Sequence, residues 1–241
     1  VLHIEGVARG AILGFRIQHG KAPGGGGIYC LRDTLLQIGS CEIRSNWEAG
    51  VAIWQSGMIQ IIDSEVSDNQ GSGVSANNSK LQLIRVKLRG NRGHSGGGVS
   101  LVSSELLVAR ECTFERNRAE GGTGGGVNAD SSSARFSACT FTENSSAVAG
   151  GAIAAVDSSN LGIRKSRFTA NRAARGGAVL ADRSAFGTDF TIFDRNRSTA
   201  AGSAVQILGR KTAGVNPVLS NLTFYRNGSD GEGAAVFCQQ V

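Results

Sequence analysis

The 241-residue chain contains only 2 prolines, 1 methionine and 6% aromatic residues. Nor does it hold a long hydrophobic run. No stretch approaches the roughly 18 consecutive apolar residues of a membrane-spanning helix, so no transmembrane segment is expected. A secretory leader is not visible either. The opening VLHIEGVARGAILGF already reads as strand, and any targeting segment is expected to lie outside this chain or to have been removed. C-x-x-C pairs and Cys/His clusters are missing, which argues against zinc. The three histidines, His3, His19 and His94, have no Ser or Cys partner in a recognisable nucleophile motif. Sustained 3.6-residue apolar periodicity is also missing, and with it amphipathic helices.

Glycine, by contrast, is abundant, at 35 residues beside 40% hydrophobic residues. A disordered glycine-rich chain would lack the regularly spaced Val, Ile, Leu and Phe seen here. The net charge of +6, mostly from arginine, permits contact with polyanions. Basic and aromatic residues are not interleaved as a nucleic-acid groove needs, so nucleic acid is not an expected partner.

One signature recurs along the whole chain: an apolar residue, two others, then Asn. It runs Phe15-x-x-Gln18, Ile43-x-x-Asn46, Val66-x-x-Asn69, Leu88-x-x-Asn91, Phe114-x-x-Asn117, Phe141-x-x-Asn144, Phe168-x-x-Asn171, Phe193-x-x-Asn196 and Phe224-x-x-Asn227. Each is followed by a small-residue turn and an apolar residue, as in Gly96-Gly97-Gly98-Val99 or Gly150-Gly151-Ala152-Ile153. From Gln18 to Asn227 is 209 residues over eight intervals, a mean near 26. Between the signatures lie alternating stretches such as Leu81-x-Leu83 and Leu161-x-Ile163, the mark of strands with one buried face. A leucine-rich repeat is excluded by the missing L-x-x-L-x-L-x-x-N frame.

The fold expected is therefore all-β: a right-handed parallel β-helix of about nine coils, forming one repeat domain over residues 1–241. Stacked coils pair in parallel about 4.8 Å apart. The residue three before each Asn should point inward and stack on its equivalents. Asn46, Asn69, Asn91, Asn117, Asn144, Asn171, Asn196 and Asn227 should form an amide ladder at a turn, where Asn tolerates left-handed geometry. The glycine pairs should mark the next turn, where positive φ or close backbone approach excludes a Cβ. From the apolar residue to the next triplet the count is 14 or 15 residues except between Val205 and Phe224, where 208–214 should bulge out.

The paired FxxN and GGA[ILV] signatures resemble the repeats of chlamydial polymorphic outer-membrane proteins and similar surface proteins. Gly14-Phe15-Arg16-Ile17-Gln18-His19-Gly20 with Gly24-Gly25-Gly26-Gly27-Ile28-Tyr29 is similar to the first coils of extracellular parallel β-helix proteins. That resemblance implies an extracellular or cell-surface scaffold or adhesin segment, working in adhesion or appendage assembly, with no cofactor and no enzymatic activity. The same architecture carries pectin-lyase-like enzymes, so a polysaccharide lyase or glycoside hydrolase is the alternative. Both ends read as open coils, and solenoids need caps. The chain is thus expected to be part of a longer one, or to meet other subunits or flanking repeats at its ends.

Three sets of side chains are candidate sites. Arg92, Arg118, Arg172 and Arg197 follow an Asn, while Arg116, Arg195 and Arg226 precede one. Together they should make a basic ridge beside the ladder, suited to acidic polysaccharide or another partner, or else a solvated edge. Asp130, Asp157 and Asp182, expected at equivalent positions of successive coils, could be catalytic carboxylates or calcium ligands. They could equally be ordinary turn residues. Cys112 and Cys139 should sit inward in consecutive coils, within disulfide range or as stacked free thiols. Cys30 and Cys238 share another inward position many coils apart. Long loops walling a substrate cleft are absent, so the sides should be convex.

Overall fold

A computed structural model of the chain describes residues 1–22, 26–209, 217–231 and 233–240. Four sheets run its length, with ten, nine, nine and six strands. In each sheet a strand's neighbours come from the preceding and following coils, and every pairing is parallel. One coil shows the plan. Val127–Asp130 lies in the first sheet, Ser133–Ser137 in the second, Thr140–Thr142 in the third and Ser145–Ser146 in the fourth. Ile153–Val156 then returns to the first. No helix occurs among the described residues. Positions 210–214 of the expected bulge, and Gly25 of the first glycine signature, lie outside the described residues.

Inward columns fill the core. Phe114, Phe141, Phe168, Phe193 and Phe224 stack face to face with centroids 4.5–5.1 Å apart. Ile43, Val66 and Leu88 continue the column, fully buried. Cys30 lies beside Ile53 and Cys238 beside Ile207 in one column of the first sheet; Cys30 is buried and Cys238 is exposed.

The corners reveal a rule that composition conceals. Among the described residues, the 24 non-glycine residues with positive φ fall at three corners of the coil. Ser40, Asp63, Arg85, Glu111, Ala138, Lys165, Phe190 and Asn221 mark the corner between the second and third sheets. Ser45, Asp68, Arg116, Glu143, Ala170, Arg195 and Arg226 mark the corner before the Asn ladder. A single left-handed residue swings the chain onto the next face, and a non-glycine there costs about 1–2 kcal/mol. At the fourth corner, before the first sheet, the left-handed residue is Gly in five coils: Gly96, Gly124, Gly150, Gly176 and Gly202. Gly124 has φ +70°, and a Cβ on it would fall on the carbonyl oxygen of Val127.

Two expectations change. The left-handed residue at the ladder is the one before each Asn, and Asn itself keeps negative φ. This points the Asn side chain inward and turns its predecessor to solvent. The first coil also shifts by two residues. Ile17, not Phe15, pairs with Ile43, and Gly20, not Gln18, takes the Asn position, its N–H bonding Oδ1 of Asn46. Gln18 faces outward and bonds Arg44. Phe15 is 56% exposed. Alternation of period two leaves Phe15 and Ile17 on the same face, so pattern alone could not choose between them.

Candidate binding ridge beside the asparagine ladder

Each turn of the ridge has three parts: a left-handed corner residue, the buried Asn, and an exposed residue that opens the fourth sheet. The Asn is the anchor. Nδ2 of Asn46, Asn69, Asn91, Asn117, Asn144, Asn171 and Asn196 donates to Oδ1 of the next rung at 2.8–3.1 Å. From Asn69 onward it also donates to the carbonyl of the inward apolar residue in the preceding coil, as Asn144 does to Phe114. Both amide hydrogens and the oxygen are thereby satisfied, which buried amides demand.

The anchored turn presents two outward rows. The row after the Asn reads Lys21, Trp47, Gln70, Arg92, Arg118, Ser145, Arg172, Arg197 and Gly228. Arg92 pairs in register with Arg118, and Arg172 with Arg197, while Ser145 separates the two pairs. The row before the Asn carries Arg116 beside Gly90 and Glu143, then Arg195 and Arg226 in neighbouring coils. The ridge is therefore three arginine pairs or clusters rather than one continuous stripe. Arg172, Arg195, Arg197 and Arg226 line a depression of about 430 Å³ together with Asp230.

Partial pairing tempers the charge. Arg116 binds Glu115, Arg195 lies 3.2 Å from Asp194, and Arg197 lies 2.5 Å from Asp230. The Arg226 guanidinium covers the ring of Tyr225 at 4.4 Å. Arg92, Arg118 and Arg172 have no carboxylate within 4.0 Å among the described residues and are exposed. Like charges directly opposite across a parallel pair weaken a sheet by up to about 1 kcal/mol. The fold gains nothing from placing them so.

The other candidates fare differently. Asp130 and Asp182 occupy the same column, but Val156 stands between them. Asp157 is one residue further on, four after Ile153 rather than three, at the left-handed corner that Ser131 and Arg183 occupy in the neighbouring coils. It binds Arg183 instead. The expected carboxylate stack is therefore not formed, and no group of three His, Cys, Asp or Glu suited to a metal occurs among the described residues. Cys112 and Cys139 do sit in consecutive coils, buried, and both are free thiols. The Cys139 thiol is pushed up by its hydrogen-bonded contact with Cys112 and by burial. Burial, with the charge of Asp33, raises Cys30 to about 12.

Three features escaped sequence reading. A second ladder joins Ser56, Ser79, Ser104, Ser132, Ser159 and Ser184, each hydroxyl accepting the N–H of its predecessor's rung at 2.9–3.3 Å. Its signal was present: a Ser five residues after Val51, Val74, Val99, Val127 and Val179. Trp47 and Lys21 extend the basic row. Finally, the sides are not uniformly convex. Gly162 and Gly187 lie in register between Arg135 and Val218 on the outer face of the second sheet, flooring a groove of about 500 Å³. Its carboxylate, Asp189, accepts hydrogen bonds from Asn221 and Ser220, which hold it below the usual carboxylate range.

A family model described as a right-handed β-helix region matches residues 26–192, more than half of the chain. The chain belongs to the right-handed β-helix family. No curated protein and no solved structure matches it. Membership accounts for the hand of the coil and its stacked ladders.

Proposed function

We propose that this β-helix is an extracellular or cell-surface scaffold segment, used in adhesion or appendage assembly, whose ladder edge binds polyanionic partners. The observation that carries this reading is the in-register exposure of Arg92 with Arg118 and of Arg172 with Arg197. A guanidinium bonds carboxylate, sulfate or phosphate bidentately, and a row at coil spacing meets several such groups along one polymer. The sequence resemblance to polymorphic outer-membrane protein repeats supports the same reading. Immobilised sulfated polysaccharide should retain the protein at low salt and release it steeply as ionic strength rises, since the Debye length is about 10 Å at 0.1 M. Replacing Arg118, Arg172 and Arg197 with Ser should abolish retention and leave the circular dichroism unchanged. Equal retention of the triple variant would refute the reading.

A second reading, a carbohydrate-active enzyme, draws support from the groove over Gly162 and Gly187. Asp189 is its one carboxylate among the described residues, whereas glycosidases use a pair. Release of reducing or unsaturated ends from acidic polysaccharides, lost in Asp189→Asn, would favour this reading over the first.

A further inference from the structure

The ridge has an aromatic end. Trp47 occupies the row of Arg92 and Arg118, two coils before Arg92: its N–H bonds the carbonyl of Gly20, just as that of Arg92 bonds Asn69 and that of Arg118 bonds Asn91. The residue is 59% exposed. Lys21, next in the row, places its ammonium 4.8 Å from the ring centroid. The core does not use this indole, because the left-handed Ser45 already turns the chain and the position faces solvent. A cation over one side restrains the ring while more than half of the residue stays in water.

We infer that Trp47 and Lys21 form the ring-recognising end of the arginine ridge, and that its ligand is a linear acidic polysaccharide. The inference rests on the polyanion reading of the ridge and names the ligand class. A pyranose ring offers an apolar C–H face to an indole, and the acidic groups along such a polymer meet the guanidiniums further on. Adjacent rungs are about 4.8 Å apart, so Trp47 lies roughly 14 Å from Arg118, three rungs away. That is short enough for one oligosaccharide to touch both. Single-stranded nucleic acid fits less well, because it needs an aromatic platform for successive bases, and this row has one aromatic, followed by Gln70 and then the arginines. A polyanion without rings would use the arginines and ignore the indole.

Three probes separate these cases: a heparin-type oligosaccharide, inorganic polyphosphate and oligo-dT, each titrated at low salt. The proteins are the full chain, Trp47→Ala, Lys21→Ala and the arginine triple variant, in a Trp54→Phe background so that the emission reports Trp47. The oligosaccharide should quench or shift the Trp47 emission and polyphosphate should not. Trp47→Ala should weaken oligosaccharide binding about tenfold, the order seen when a stacking aromatic is removed, and leave polyphosphate binding unchanged. Lys21→Ala should weaken both modestly. If Trp47→Ala binds the oligosaccharide as the parent does while the triple variant does not, the inference is wrong and the ridge reading stands. If oligo-dT binds more tightly and depends on Trp47, the ligand class is wrong. If no probe binds the parent, both readings fall. Trp47 lies outside the core, so circular dichroism of Trp47→Ala should match the parent.

Discussion

Asn117 donates twice to Oδ1 of Asn144, from its backbone nitrogen and from Nδ2, both at 3.1 Å. One oxygen thus closes two hydrogen bonds between consecutive coils, while Nδ2 of Asn144 reaches back to the Phe114 carbonyl at 2.8 Å. No other side chain of similar size presents an acceptor and two donors in this arrangement.

Asn144→Ala should therefore cost more than a typical single hydrogen bond. It orphans the two Asn117 donors, and a buried unsatisfied group costs about 1–3 kcal/mol. A loss of about 3 kcal/mol or more in urea denaturation is expected. Asn227→Ala, on a rung only half-buried near the chain's end, should cost less. Equal losses at the two positions would show that the ladder is not cooperative along its length.

The left-handed corners predict a stabilising substitution. Ala170 sits at φ +55° on the partly exposed row before Asn171. Ala170→Gly relieves about 1–2 kcal/mol of backbone strain and gives back roughly 0.5–1 kcal/mol through unfolded-state entropy. The net should be neutral to about 1 kcal/mol stabilising. Ala173→Gly, in an extended strand and buried, should destabilise. A thermal melt that moves the same way for both substitutions would contradict the corner assignment.

Cys30 predicts an alkaline limit. Burial raises its thiol from 9.0 in the unfolded reference to about 12. A raised pKa contributes stability that is fully present below pH 9 and is lost as pH climbs toward 12, where the unfolded chain releases a proton that the folded one keeps. The loss from this group approaches about 1.4 kcal/mol per pH unit in that window. Cys30→Val should flatten the pH dependence between 9 and 12 by about one proton, measured by denaturant midpoints in a reducing buffer. An unchanged slope would place the alkaline sensitivity elsewhere, Cys139 being the next group to replace.

Both the coil and its period were legible because they depend on local features repeated many times. The FxxN and Gly-apolar signatures recur at a spacing of about one coil, and the alternation between them admits only strands. Apolar stacking at Phe141, the asparagine ladder and the glycine turns from Gly96 to Gly202 all follow from that register. The serine ladder was legible as well, at a fixed distance from each Gly-apolar residue, but Ser is common in turns and its column stands out only beside the others.

Other features needed the three-dimensional stack. The first coil was misread because Phe15 and Ile17 have the same parity, and only hydrogen bonding to Ile43 and Asn46 separates them. Asp130 and Asp182 lie three residues after Val127 and Val179, whereas Asp157 lies four after Ile153, at the left-handed corner, where it meets Arg183. Gly162 and Gly187 are unremarkable singly and make a groove only when parallel pairing brings them to neighbouring rungs. Trp47 joins Arg92 and Arg118 for the same reason. Sequence determines what each coil contains, because strand, corner and ladder are local chemistry. Which side chains of different coils share a surface is decided by the register of stacking, which the parallel pairing of each strand sets.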